Sequence, residues 1–209
     1  VGLPYDAQAE LSVPFTLTRQ ETSRTLLAEP QDRTVASIGD VRVGLAKTLL
    51  REDGYVPDLI GRLTWDTNTG RDEIDGVSLD SGFNEIGVSF SALKRQDPLA
   101  FVGRVSYERS LENDGVQPGD LFGLGLSASL AASPETSLRL GADVFYRTEA
   151  EVNGRGVDGS NQTEGVLSVG VSSVLGPNTL LNVNLGVGLT EDSTDFLLTA
   201  SVPLRFEAF

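Results

Sequence analysis

The sequence predicts an all-β chain folded as a transmembrane up-and-down antiparallel β-barrel, and three observations predict it. Apolar residues recur at every second position through about ten segments; the positions between are mostly Gly, Ser, Thr and Asn with scattered Arg and Asp; and the connections alternate between short and long. Successive side chains of a strand point to opposite faces, so a period of two gives each segment one greasy face and one small, polar face. No stretch sustains the i, i+3, i+4 spacing of an amphipathic helix, and no apolar run approaches the roughly twenty residues of a membrane helix. Any crossing of a bilayer therefore uses strands, with the greasy side toward lipid and the polar side toward a lumen.

The elements follow in order. Segment 10–18 leads into the long connection 20–39, and segment 40–50 then carries Arg42 and Gly44 on its polar side. Lys47 falls in the lipid-facing register near the inner end, where a long side chain can snorkel. The Pro- and Gly-containing turn 52–57 comes next, and segment 58–66 places Arg62 and Asp66 on the polar side with Trp65 near the outer rim. Connection 67–83 is long and acidic; segment 84–93 brings Glu85 and Gly87, and the turn 96–99 is short. Segment 101–110 starts with Phe101 near the inner rim, carries Arg104 and Glu108, and ends with Tyr107 near the outer rim before connection 111–119. Segment 121–130 supplies Phe122 at the outer rim and Gly123 and Gly125 on the polar side. The turn 132–136 leads to segment 137–147, with Arg139, Gly141, Asp143 and Arg147 on the polar side and Tyr146 near the outer rim. Connection 148–164 contributes Glu164, segment 165–174 contributes Gly170, and the turn 175–178 is short. In segment 180–190, Leu181, Val183, Leu185 and Val187 share one face, and Asn182, Asn184, Gly186 and Gly188 the other. Segment 196–206, reached through the short connection 191–194, has Phe196 near the outer rim, Phe206 near the inner rim and Arg205 on the polar side.

Short connections alternating with long, acidic ones are the meander of an outer-membrane barrel, with tight periplasmic turns and larger outward loops. Aromatic rings at both rims fit the interfacial girdles of such barrels. A soluble sandwich also alternates, but its solvent face usually carries Lys, Glu and Thr. Glycine weakens an exposed strand and suits a crowded, curved wall.

All 209 residues read as one barrel domain, with no linker or composition break. A formal charge of -14 without a basic cluster argues against nucleic acid as a partner, because phosphate neutralisation needs concentrated Lys and Arg. The absence of Cys suits passage through an oxidising periplasm, and a start at Val1 rather than Met suggests a removed leader or missing upstream strands. The expected place is the outer membrane of a Gram-negative bacterium, with membrane lipid and lipopolysaccharide as surroundings and a translocated solute or polypeptide as partner. A homo-oligomer is compatible with the pattern.

Two readings apply to the lumen-side charges Arg42, Arg62, Asp66, Glu85, Arg104, Glu108, Arg139, Asp143, Arg147 and Arg205: ion pairs that stiffen the wall, or a field that selects what passes. Catalysis has little footing. With no His, the histidine-assisted hydrolases known in barrel form lack their proton shuttle, and neither Lys47 nor Lys94 lies beside a Ser at the same level and face. The letters of a dinucleotide fingerprint run from Gly154 to Gly159, but they lie in a polar loop with no helix to receive a phosphate. Asp72, Glu73 and Asp75 lack the ligand spacing of a calcium loop. No catalytic residue, metal or cofactor is expected.

The run Ile38-Gly39-Asp40-Val41-Arg42-Val43-Gly44-Leu45, the turn from Glu52 to Asp58, and Thr64-Trp65-Asp66-Thr67-Asn68-Thr69-Gly70 resemble the outer-membrane transporter family labelled for the meta-pathway of phenol degradation. Gly2-Leu3-Pro4-Tyr5 and Glu10-Leu11-Ser12-Val13-Pro14-Phe15 resemble it too. Asn68 stands where that family often has Pro. Within the grouping, the likeness runs toward the Fap channels that export functional-amyloid subunits in biofilm formation, which implies a twelve-stranded barrel, ten strands visible here and two upstream. The function expected is a channel for a polar solute or an exported polypeptide. Uptake of small aromatic or hydrophobic compounds and a closed structural or adhesive barrel are the alternatives.

Overall fold

A computed structural model of the chain describes residues 2–22, 31–70, 73–74, 77–78 and 82–203. In chain order the strands are β1 (Gly2–Leu3), β2 (Ala7–Ser12), β3 (Phe15–Thr22), β4 (Gln31–Ile38), β5 (Arg42–Leu50), β6 (Asp58–Asp66), β7 (Glu73–Ile74), β8 (Val77–Ser78), β9 (Glu85–Gln96), β10 (Leu99–Ser110), β11 (Val116–Gln117), β12 (Leu121–Ala131), β13 (Thr136–Arg147), β14 (Glu151–Val152), β15 (Arg155–Gly156), β16 (Gln162–Gly176), β17 (Thr179–Gly188) and β18 (Phe196–Ser201). Eleven of them form one sheet in the order β1-β2-β5-β6-β9-β10-β12-β13-β16-β17-β18. Every pairing within it is antiparallel and joins strands that follow one another along the wall. This is the up-and-down meander that the alternation of turns and loops predicts.

The first predicted strand needs correction. Segment 10–18 is two strands: β2 stops at Ser12, and Phe15–Thr22 pairs instead with Gln31–Ile38 as a separate ribbon. Pro14 lies at the break, where it has no N–H to give the ladder, and its carbonyl accepts from Gly39 N at 3.0 Å. Part of the connection read as loop at 20–39 is therefore hairpin. The start of the chain also holds a strand: Gly2 and Leu3 pair with Gln8 and Ala7. The last expected strand, 196–206, ends at Ser201, Val202 and Pro203 continuing without strand pairing and 204–206 lying outside the described residues; the others stand, several of them longer, such as Gln162–Gly176 where 165–174 was expected.

The packing is inverted relative to a soluble domain. Large aliphatic side chains stand out, Leu126 61% and Leu140 55% exposed, while the residues that are buried are small, Ala46 at 8% and Ser89 at 6%. Ala46 is the one buried hydrophobic residue among those described, and no large side chain is fully buried. A sandwich would hide its leucines against a second sheet; here the aliphatic face meets no other layer. The small residues converge on the opposite face. A methyl group on Gly125 would sit 2.4 Å from Asp143 Oδ1, and one on Gly123 would sit 2.4 Å from Ser106 Oγ. Crowding on the polar face and spreading on the apolar face are what curvature around a lumen produces.

Candidate functional site

The register turns the polar face into lateral rows, one residue per strand. Nearest the long loops, Arg42 faces Asp66, Asp66 faces Glu85, and Glu85 faces Ser110. Below it run Glu10, Gly44, Thr64, Gly87, Glu108, Leu121, Arg147 and Gln162. The next row holds Gln8, Ala46, Arg62, Ser89, Ser106, Gly123, Phe145 and Glu164. Deeper still, Ile60, Ser91, Arg104, Gly125, Asp143 and Val166 line up. Arg139 lies two rows further, beside Ser129 and Gly170. Nine of the ten predicted lumen charges thus share one face; Arg205, like Phe206, lies outside the described residues.

Proximity divides them. Arg42 bonds Asp66, and Arg62 pairs with Glu10 at 3.0 Å. Glu10 escaped the sequence reading, although its alternation with Gln8 and Ser12 was a usable signal. Asp143 leans over Gly125 toward Arg104, whose Cβ would lie 3.9 Å from a methyl group there. Arg104, Arg139, Asp143 and Glu164 have no ion-pair partner among the described residues. Arg147 donates to the carbonyl of Gly119 at 3.2 Å. A recess of about 230 Å³ opens on this face between Leu121, Phe145, Arg147, Gln162 and Glu164.

Both rims are tied. At the short-turn end, Glu52 accepts from Lys94 Nζ at 2.7 Å and from Arg95 Nε at 2.9 Å, and Asp58 accepts from Glu52 N at 2.8 Å and from Arg95. The two cations hold the Glu52 carboxyl down to about 2, with the Lys94 bond the larger cause. This clasp also escaped the sequence reading, because its acids sit in and beside a turn whose partners lie 37 to 43 residues ahead. At the long-loop end, Asp40 Oδ1 accepts from Thr69 N at 2.8 Å and Gly70 N at 2.7 Å. Thr67 donates its hydroxyl to the Val41 carbonyl at 2.7 Å. A methyl group on Gly70 would come within 2.8 Å of the Gly39 carbonyl carbon, so only glycine allows this approach. Asn68 Nδ2 donates to Gly82 O at 2.8 Å, and its backbone N–H donates to Asn84 Oδ1 at 3.3 Å, a bond that Pro at this position could not make.

Trp65, Tyr107, Phe122, Tyr146, Phe101 and Phe196 all lie on the apolar face. Tyr107, Phe122 and Tyr146 are laterally adjacent near the long loops, the first two rings 5.1 Å apart, and Tyr107 donates its hydroxyl to Asp120 at 2.8 Å. Below them, Ala92, Gly103, Ala128 and Ala142 leave a recess of about 510 Å³ between Phe101, Leu126, Leu140 and Leu167. It faces away from the lumen, and its walls are almost wholly hydrocarbon, which fits acyl chains. The dinucleotide-like letters are a hairpin: β14 turns into β15 through Asn153 and Gly154 at positive φ, with no helix beside them. The acids 72, 73 and 75 lie outside the residues whose side chains are described.

With this geometry in hand, comparison with known proteins gives two findings. The family described as "Putative MetA-pathway of phenol degradation" matches residues 3–206. Among solved structures, the fold is similar to an outer membrane channel from Pseudomonas putida, with a TM-score of 0.70 and 15% identity over 93% of this chain and 75% of that one. The shared architecture is an outer-membrane β-barrel fold.

Proposed function

From the premise that the chain belongs to the putative MetA-pathway of phenol degradation family, we propose that it is a non-enzymatic channel of the Gram-negative outer membrane that passes small polar solutes through a hydrated, charged lumen. The observation that carries this reading is the polar face itself: small residues keep the wall thin, and Arg104, Arg139 and Asp143 stand on it with no ion-pair partner among the described residues. Charges lining a water-filled pore select by field. The aliphatic face supplies the lipid contact, and the aromatic band at Tyr107, Phe122 and Tyr146 supplies an interfacial anchor. Planar-bilayer recording of the purified protein tests it. Discrete conductance steps are expected, and a protein that inserts but never conducts would instead be a closed structural barrel.

The family's description favours a second reading, uptake of small aromatic compounds. Vesicle permeation separates the two, since a hydrated lumen admits small sugars and a hydrophobic path admits phenol alone. Export of an unfolded polypeptide, as in functional-amyloid secretion, would use the same wetted lumen and would show as transient blocks of the current by an added unfolded peptide.

A further inference from the structure

We propose that the lumen wall from β13 to β18 holds a binding site for a small organic carboxylate, with Arg139 as its charge partner. The inference rests on the channel reading and deepens it by naming a solute class. Arg139, Gly170, Asn184 and Thr199 form one row, with Ser168 and Gly186 in the row on one side and Ser172, Asn182 and Ser201 in the row on the other. All of these except Gly186 line a recess of about 430 Å³ on the polar face. Ligand sites run from roughly 300 to 1,000 Å³, so this recess suits a one-ring or short-chain acid.

The charge balance points to an anion. Arg139 is exposed and, among the described residues, has no carboxylate within 4.0 Å and no hydrogen bond to its guanidinium. The acids flanking it along the chain, Glu135 and Asp143, are each four residues away, roughly 13 Å along a strand. Asp143 is moreover turned over Gly125 toward Arg104. All other side chains of the recess are neutral, and those on the lumen face are hydroxyls and amides. A guanidinium fork matches a carboxylate in two parallel bonds, and neutral donors around it satisfy the remaining lone pairs without a second charge. One cation balances a monoanion and leaves a dianion half-compensated. Gly170 shapes the floor: a methyl group there would meet Asn184 Oδ1 at 2.9 Å and Arg139 Cβ at 3.7 Å, so glycine keeps the amide and the arginine stem side by side. In a chain of net charge -14, an unneutralised arginine gives anions a resting point on this part of the wall. Such a site must hold weakly enough to release its solute onward.

Benzoate, with uncharged benzamide as its isostere, is the probe. Saturation-transfer NMR on the detergent-purified protein should show saturable benzoate binding and far weaker benzamide binding. Arg139→Gln should weaken benzoate by at least about tenfold, as loss of a charged hydrogen-bond pair implies, while Arg155→Gln in the outer hairpin stays within about twofold. Gly170→Val, which fills the floor without removing a charge, should weaken it too and covers the case in which Arg139→Gln loses its folded, heat-modifiable migration on gels. Equal benzoate affinity in wild type and both recess variants, or equal affinity for benzamide, overturns the proposal. Bilayer conductance of the same preparations separates the two readings: binding without conductance sinks the channel and keeps the site, whereas conductance without saturable binding sinks the site and keeps the channel.

Discussion

On the arc of wall from β2 to β9, charges are engaged. Arg42 bonds Asp66, Arg62 reaches Glu10, and the short turn after β5 is held to the end of β9 through Glu52, Lys94, Arg95 and Asp58. On the arc from β10 to β18, Arg104, Arg139, Asp143 and Glu164 stand on the same face without ion-pair partners among the described residues, above a floor of Gly, Ser and Asn. The two arcs share one alternation and one set of residue types. They differ in cross-strand neighbours: the residue opposite Arg42 is Asp66, whereas Gly125 and Ser91 flank Arg104. A lumenal charge is therefore structural or available according to register, and the two arcs divide the labour of stiffening the wall and meeting the solute.

The largest effect should come from cutting the engaged arc at its outer clasp. Asp40 is 4% exposed and receives the backbone N–H groups of Thr69 and Gly70, the first of which also reaches the Thr67 carbonyl at 2.8 Å. Asp40→Ala should cost about 1–3 kcal/mol, the range for losing hydrogen bonds to a charged acceptor, read from urea unfolding of the vesicle-inserted protein. Asn182→Ala on the open arc should stay within about 0.5 kcal/mol, as for surface changes. Equal losses on the two arcs would break the division.

Permeation should show the reverse order. Arg104→Ala should shift the bilayer reversal potential toward cation selectivity by up to about fivefold in permeability ratio, the worth of one unit charge at about 4 Å in water. The double variant Arg62→Ala/Glu10→Ala should barely move it, because the pair it removes is neutral. An equal shift in the two variants would mean that pairing does not decide which charges the solute feels.

Much of this architecture was legible in the residues. Period-two alternation carries which face each side chain takes, because the period of a strand is fixed by its geometry. Turn length carries the meander. What stayed hidden was register. Nothing local to Arg62 announces Glu10, which is 52 residues earlier and diagonal to it across β5. The irregular pairing between Thr48 and Leu50 shows that turn position alone does not set the ladder. The ribbon Phe15–Thr22 with Gln31–Ile38 was missed for another reason: the alternation runs unbroken through Val13 and Phe15, and only Pro14 between them marks the change of partner. The words Ile38 to Leu45 and Thr64 to Gly70 carried the family resemblance, and the structure gives them a mechanical sense as the two sides of the Asp40 clasp.

Acid should loosen the engaged arc locally. The Glu52 carboxyl is held at about 2, against 4.5 ordinarily, by Lys94 and Arg95. A depressed carboxyl contributes its stability in full above the unfolded value and loses it as pH falls through the folded one, so the window runs from about 4.5 down to about 2. Proton binding to Glu52, followed by carboxyl carbon-13 shifts, should coincide with faster proteolysis of the turn 51–57. Glu52→Gln should make cleavage there insensitive to pH across the window, and a Glu52 titration near 4.5 would remove the clasp from the account.

The smallest effect is the sharpest discriminator. A double-mutant cycle on Arg62 and Glu10 should return a coupling of about 0.2–1 kcal/mol, the range for partly exposed ion pairs. The same cycle on Arg104 and Asp143, two strands apart across Gly125, should return a coupling near zero in salt, because the groups form no direct pair and water screens what remains. Lowering the ionic strength should raise the second coupling more than the first, since screening acts most on charges that do not touch. If the Arg104 and Asp143 coupling instead matched that of Arg62 and Glu10 at ordinary salt, the open arc would be internally neutralised, and Arg139 alone would remain to set the lumen's sign on that side.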